Sequence, residues 1–568
     1  MSNTSRRKFL KLTTGLSAGS VLALAVSTSL TGCAALQKES LSNVEFKHGV
    51  ASGDPLNNAL IIWTRVSVLK DTMQSSATVA WELASDAEFK NIIRNGTEKT
   101  DKRRDFTIKI DVQDLQPNTE YFYRFVGLAS LSPVGRGKTL PIDNVEQIKM
   151  VVVSCSNYPA GYFNAYSDAA KQEDLDVVLH LGDYIYEYPM GGYATNNAEK
   201  IGRQLAADNS GEIITLSDYR KRYAIYKTDK GLQALHAAAP FIAVWDDHEI
   251  SNDTYKSGAE NHSANEGDFF KRRAAAIQAY YEWLPIRPPM GEQNPQIYRT
   301  FDFGNLLSLH MLDTRVIARD KQLSYADYRD KSSKAMDIAK FAQDLNDPKR
   351  KLLGKTQLNW LTSAVGNSKA KWQVLGQQVL MTKMWLPTEI FSQADRNDIP
   401  RVVAELGAIK QDVLNNKTVT AEQLARVNTL MPYNLDAWDG YPAEREALYN
   451  SVSALNKQLI VVAGDTHNAW YGTLKDVKGN AVGVEFATPG VTSPGMESYL
   501  SIDTAQAQKM AQGLSLLIND LEYCDLSQRG YMLVTLTKQA IKTDWRYVDN
   551  ILSEQFTMVN PAQRIYKA

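Results

Sequence analysis

The chain has 568 residues, 44% of them hydrophobic and 22% charged, enough to bury a large core and to form more than one domain. Its 63 Lys and Arg stand against 64 Asp and Glu, a formal charge of -1, which excludes the overall basic field that would draw nucleic acid or an anionic bilayer. Function is therefore sought in local sites.

The N-terminus reads as an export signal. Ser5-Arg6-Arg7-Lys8-Phe9-Leu10-Lys11 is a twin-arginine pattern, and Leu12 to Leu30 is apolar but diluted with Gly, Ser and Thr. It ends in Leu30-Thr31-Gly32-Cys33, which resembles a bacterial lipobox. Residues 1–33 are thus expected to be a leader cut before a lipidated Cys33, with 34–44 as a tether and the body on the periplasmic or extracellular face. An uncleaved membrane anchor is the competing reading. Ala34 after Cys33 gives no inner-membrane retention aspartate.

Strands come next, at Ala59–Thr64, Ala77–Leu83, Phe106–Val112 and Tyr121–Val126, separated by turn signals such as Gln116-Pro117-Asn118. The alternation Tyr121-Phe122-Tyr123-Arg124-Phe125 suits a strand with one buried face. Residues 45–142 are expected to form a small all-β sandwich of the fibronectin or immunoglobulin type, acting as scaffold or spacer.

From residue 146 to 568 the pattern becomes α/β. Apolar runs at Lys149–Ser154, Val177–Leu181, Phe241–Trp245, Leu306–Leu312, Trp372–Leu375, Leu459–Ala463 and Val482–Ala487 read as strands. Helical segments at Phe163–Lys171, Leu216–Tyr223 and Phe270–Trp283 alternate with the early ones. Chemistry in such folds gathers at the carboxyl ends of strands. Residues 388–450 are polar and largely helical, an insertion placed to cap a site.

Strand exits carry the chemistry. They deliver Ser154-Cys155-Ser156-Asn157, Gly182-Asp183-Tyr184-Ile185-Tyr186-Glu187, Asp246-Asp247-His248-Glu249-Ile250-Ser251-Asn252 and Gly464-Asp465-Thr466-His467. One Gly-Asp after a strand is an ordinary turn. Four polar clusters at strand exits gather like charges that need cations, and carboxylate, imidazole and thiol donors form a mixed ligand set. Cys155 has two readings here, a metal-binding thiolate or a disulfide with Cys524. Export in the folded state weighs against the bridge.

Taken in order, Gly182-Asp183-x-x-Tyr186, Asp247-His248-Glu249 and Gly464-Asp465-x-His467 resemble the blocks of the metallophosphoesterase superfamily. With SCSNYP, LGDYIYEY, WDDHEISND, MLDTR, WDGYPAER and GDTHNAW, the chain more closely resembles the PhoD-type alkaline phosphatase and phosphodiesterase family. The resemblance implies a metallophosphoesterase-like β-sandwich core flanked by helices and an iron(III) with calcium, two calcium ions being expected. It implies Cys155 and Tyr186 as iron ligands, Asp183 as a bridge to calcium, Asp465 and His467 completing the cluster, and Asp247 and Asn252 facing calcium.

The implied reaction is hydrolysis of phosphate diesters or monoesters by a metal-bound hydroxide, with His248 as proton donor, held by Asp246 or Glu249. Arg315 either pairs with Asp313 or grips the substrate phosphate. Trp438-Asp439-Gly440-Tyr441 is a lid element or a packed turn, and His180 a hydrogen-bonded core residue. A phosphatase loop of the Cys-x5-Arg kind is excluded, since Ser156-Asn157-Tyr158-Pro159-Ala160-Gly161 follows Cys155. The expected partner is a phosphate ester, bound by a monomer that touches membrane only through Cys33. The competing functions are a calcium- and phospho-ligand-binding lipoprotein without turnover, and an adhesion module stabilised by a disulfide.

Overall fold

A computed structural model describes residues 41–69, 75–289, 295–330, 332, 335–393 and 395–567. The twin-arginine stretch, Cys33 and the tether up to residue 40 lie outside the described residues.

Period-two burial builds the first module. Along Glu120–Val126 the rings of Tyr121, Tyr123 and Phe125 are buried while the residues between them are not. This strand belongs to a layer with Ile92–Asp101, Ser76–Ala84 and Gly135–Lys138. Facing it are Val50–Gly53, Leu60–Arg65 and Thr107–Val112, and the shared core holds Leu60, Ile62, Val79, Leu83, Ile108, Tyr123 and Phe125.

The second of these layers also belongs to the larger domain. Gly53 pairs in parallel with Phe241, so the three strands extend one nine-stranded sheet. Trp63, on the opposite face of its strand from Ile62, packs into the large core and donates its indole N–H to the Glu282 carbonyl at 2.8 Å. The first module is therefore continuous with the larger sheet.

Within that sheet Gln147–Val153, Val177–His180 and Phe241–Ala243 run parallel, and Arg529–Thr537, Ile541–Val548 and Met558–Tyr566 continue it antiparallel. A seven-stranded sheet packs against it. Its parallel strands are Leu307–Met311, Trp372–Gly376, Leu459–Ala463 and Ala481–Ala487. Ile460 and Val462 join the core shared with Val151 and Leu179, whereas Leu459, Val461 and Ala463 point the other way, into a core with Leu361 and Leu448. Both faces are covered, which is why these strands read as unbroken apolar runs.

Residues 388–450 contain the helices Thr388–Phe391, Ile399–Leu414 and Ala421–Asn428. The next helix, Pro442–Ala454, begins inside that stretch and is part of the second core through Leu448, Tyr449 and Val452. Trp438 is fully buried and donates to Gln377 Oε1 at 2.7 Å, so Trp438–Gly440 is a packed turn and not a lid.

Candidate active site

Parallel strands place their carboxyl ends along one edge, and the polar clusters meet there. Cys155 follows the strand ending at Val153, Asp183 the strand ending at His180, Asp247 the strand ending at Ala243, and Asp465 the strand ending at Ala463. Cys155, Asp183, Asp465 and His467 all adopt left-handed backbone, with φ between 55° and 64°. Such φ values cost non-glycine residues energy and persist where surrounding contacts enforce them. Here the Cys155 N–H donates to the Gly182 carbonyl at 3.2 Å, and the Cys155 carbonyl accepts from Thr492 and Ser493. Gly182 itself, at φ 108°, leaves no room for a side chain: a Cβ would lie 2.4 Å from Cβ of Asp246. The Gly-Asp pair thus lets two strand exits touch.

Two groups of donors result. The sulfur of Cys155, a carboxylate oxygen of Asp183 and a ring nitrogen of His467 lie within 4.8 Å of one another, all buried. Donor atoms of Asp183, Asp247 and His248 form a second such group. Asp183 is common to both. The Tyr186 hydroxyl joins them, donating to Asp183 Oδ2 at 2.9 Å, lying 3.3 Å from His467 Nε2 and accepting from Ser493 Oγ at 2.6 Å. His467 presents Nε2 inward because Nδ1 is occupied by the Pro494 carbonyl at 2.8 Å.

Cys155 and Cys524 are both free, so the disulfide reading of Cys155 is set aside. Cys524 sits in the second core, with its sulfur 3.5 Å from the Ala511 carbonyl.

The structure corrects the support assigned to His248. Neither Asp246 nor Glu249 holds the ring; His248 Nδ1 lies 2.7 Å from Glu187 Oε2, and Glu187 is wholly buried. The other Glu187 oxygen accepts from the Asn252 backbone at 2.7 Å and the Asn261 amide at 2.8 Å. Glu249 instead ties two strand exits together, its Oε2 accepting from the backbones of Asp183 at 3.0 Å and Asp246 at 2.7 Å.

Asp246 is bound to Arg315, and Arg315 spends its other two nitrogens on Asp436 at 2.9 Å and Asp465 at 3.0 Å. Asp313 does not pair with that guanidinium; its Oδ1 accepts the backbone N–H groups of Arg315 at 2.9 Å and Val316 at 2.8 Å. Asn252 reaches the site through its backbone N–H on Glu187 at 2.7 Å, and its side-chain amide donates to Glu260 at 3.1 Å. Glu187 and Asp436 carry parts of this site that the sequence reading did not assign. Glu187 was visible in the same block as Asp183, but Asp436 lies 121 residues from Arg315 with no local signal.

The charge balance calls for cations. Asp183, Glu187, Asp246, Asp247, Glu249, Asp436 and Asp465 converge, with Arg315, Arg319, His248 and His467 as basic groups among them. Burial and then neighbouring carboxylates push the Asp246 carboxyl well above the usual carboxylate range, with Arg315 opposing them. Burial and then Asp436 do the same to Asp465. The Cys155 thiol is driven far up by burial and by Asp183. Asp183 Oδ1 and Asp246 Oδ2 are buried with no hydrogen-bond partner. Unpartnered oxygens beside a thiol, a phenol and an imidazole fit a metal centre with hard and soft donors.

His180, by contrast, is a core residue. Its Nδ1 accepts from the Gly182 backbone at 3.3 Å and its Nε2 meets the Tyr166 hydroxyl at 3.0 Å.

The chain is similar to known proteins along nearly its whole length. Residues 150–545 match the family described as PhoD-like phosphatase, and residues 32–141 match the PhoD-like phosphatase N-terminal domain. Alkaline phosphatase D of Bacillus subtilis (strain 168) is 34% identical over 577 aligned residues, covering 99% of this chain and 87% of the relative. A solved structure titled "Structure of PhoD" is 32% identical, with a TM-score of 0.73, over 92% of this chain and 90% of that one.

Proposed function

The chain belongs to the PhoD-like phosphatase family and is a phosphoric ester hydrolase, and from that premise we propose that it is an exported, metal-dependent enzyme acting on phosphate diesters and monoesters. The observation that carries metal dependence is that buried Asp183, with one carboxylate oxygen lacking a hydrogen-bond partner, lies in a donor group with Cys155 and His467 and also beside Asp247.

On this reading Cys155, Tyr186, Asp183, Asp465 and His467 would hold an iron(III) ion and Asp183, Asp247 and Asn252 calcium, and these ions would supply Lewis acidity toward water and the phosphate oxygens. The protein's residues do the rest. Water forms the new bond to phosphorus and gives up one proton to bulk solvent while the ester P–O bond breaks, and His248 regains a proton from solvent after each turnover. His248 hands its proton to the departing alkoxide, and Glu187 holds the imidazolium through Nδ1, leaving the other ring nitrogen for the leaving oxygen. Burial opposes the charge on His248, while Asp247 and then Glu187 raise its proton affinity above that of a free imidazole. Arg315 positions Asp246 and Asp465 and takes no part in proton transfer. Its commitment to carboxylates supports this role over a grip on phosphate.

The twin-arginine pattern and the Leu30–Cys33 block support export and lipid anchoring at Cys33. The test of the enzymatic reading is release of 4-nitrophenolate from bis(4-nitrophenyl) phosphate and from 4-nitrophenyl phosphate by the purified mature chain, with and without chelator. Turnover abolished by chelator and restored by iron with calcium is expected. Turnover indifferent to exhaustive chelation contradicts metal dependence.

A further inference from the structure

Beside the acidic cluster lies a cavity of about 510 Å³, a volume typical of small-ligand pockets. Phe391, Ile399, Met496, Leu500 and Leu514 line it, and Arg396 is the only charged side chain on its wall among the described residues.

Two of its walls lead into the site. Tyr433 lines the cavity and stands three residues before Asp436, which binds Arg315. The helix Met496–Tyr499 forms another wall and is pinned directly behind His467. The Pro494 carbonyl meets His467 Nδ1 at 2.8 Å, and the Met496 N–H donates to Asn468 Oδ1 at 3.2 Å. Tyr499, also lining the cavity, donates its hydroxyl to that of Tyr193 at 3.2 Å, and Tyr193 in turn lies 3.2 Å from His467 Nδ1. The cavity and the donor cluster therefore share walls.

We propose that this cavity is a substrate subsite that takes one ester group of a phosphate diester, and that this group is apolar, an alkyl chain or an aryl ring. The proposal rests on the phosphoesterase reading above and narrows its substrate class. With phosphorus at the donor cluster, the tyrosines at the junction place one ester oxygen at the mouth and its substituent against the aliphatic wall. Apolar area leaving water there favours longer chains, whereas a sugar or glycerol group would lose hydration to a wall poor in partners. Methionines at positions 496 and 510 let the wall adapt to either shape.

The experiment is a series of alkyl 4-nitrophenyl phosphates, all losing the same nitrophenolate and yielding the alkyl phosphate, compared by kcat/KM in the mature enzyme. Each added methylene is expected to raise kcat/KM by up to about fourfold, giving at least about tenfold from methyl to hexyl, with a phenyl ester reporting aryl binding. In Ile399→Asp and Ile399→Trp the methyl ester should turn over within about twofold of wild type while the hexyl advantage falls below about threefold. The methyl ester thus reports on folding and chemistry in each variant. Equal rates for methyl and hexyl, a faster 2,3-dihydroxypropyl ester, or a hexyl advantage that survives both variants would overturn the subsite and leave the phosphoesterase reading intact. No nitrophenolate from any ester overturns both.

Discussion

Glu187 decides what His248 can do. A buried carboxylate 2.7 Å from Nδ1 fixes the ring's tautomer and orientation and stabilises its protonated form. A proton donor matters most when the leaving oxygen is strongly basic, which separates this role from a structural one. Glu187→Gln is expected to lower kcat about 10²-fold for a diester with an alkyl alcohol as leaving group, and far less when 4-nitrophenolate departs. Steady-state kinetics with the two substrates check this; equal losses on both would mean that Glu187 only holds the fold. Its importance was not legible in the sequence, because Glu187 and His248 are 61 residues apart and the block WDDHE offers nearer carboxylates. Asp246 serves Arg315, and Glu249 serves the three backbone amides of Asp183, Tyr184 and Asp246.

Among the elements, the parallel strands were the most legible part, whereas the antiparallel strands Arg529–Thr537, Ile541–Val548 and Met558–Tyr566 were not read from the sequence. A parallel strand covered on both faces reads as a β-branched run, and its carboxyl end is marked by the first turn residue, so Val153, His180 and Ala463 could be placed within a residue or so. The helical stretch 388–450 was less legible, because polarity suggested an insertion throughout while its last helix is core. Glu444, at the start of that helix, shows why a polar residue there is structural. It is buried, and its carboxylate accepts the backbone N–H groups of Leu352, Leu353 at 2.8 Å and Gly354 at 3.1 Å, satisfying the donors that open the helix Gly354–Asn367. Glu444→Ala strands those donors and is expected to cost about 3 kcal/mol of stability. Denaturant unfolding measures the loss, while kcat/KM per folded molecule should stay near wild type.

For the whole molecule, burial takes histidines out of water both where the first module meets the catalytic sheet, at His48, and in the core beneath the site, at His180. His48, edge-on to Trp283 at a centroid distance of 5.3 Å, is pushed down from 6.5 to about 3 by burial and then by Arg65 and Lys227. His180 is pushed down to about 3, by burial and then Lys227. Both folded values lie below the unfolded one, so the unfolded chain takes up protons first as the pH drops. Their contribution is complete above about pH 6.5 and is lost between there and about pH 3, at up to about 1.4 kcal/mol per pH unit for each ring. The unfolding temperature should therefore fall as pH goes from 7 to 5, and His48→Gln should flatten that slope. A slope unchanged by the substitution would assign the acid sensitivity elsewhere.

The central claim is that an unpaired sulfur at residue 155 binds a metal ion together with Asp183, Tyr186 and His467. X-ray absorption at the edge of the metal found in the purified mature protein addresses it most directly. The account predicts a single sulfur scatterer in the first coordination shell that disappears in Cys155→Ser. A shell of oxygen and nitrogen alone in the wild-type protein, or a sulfur that remains after the substitution, would contradict it.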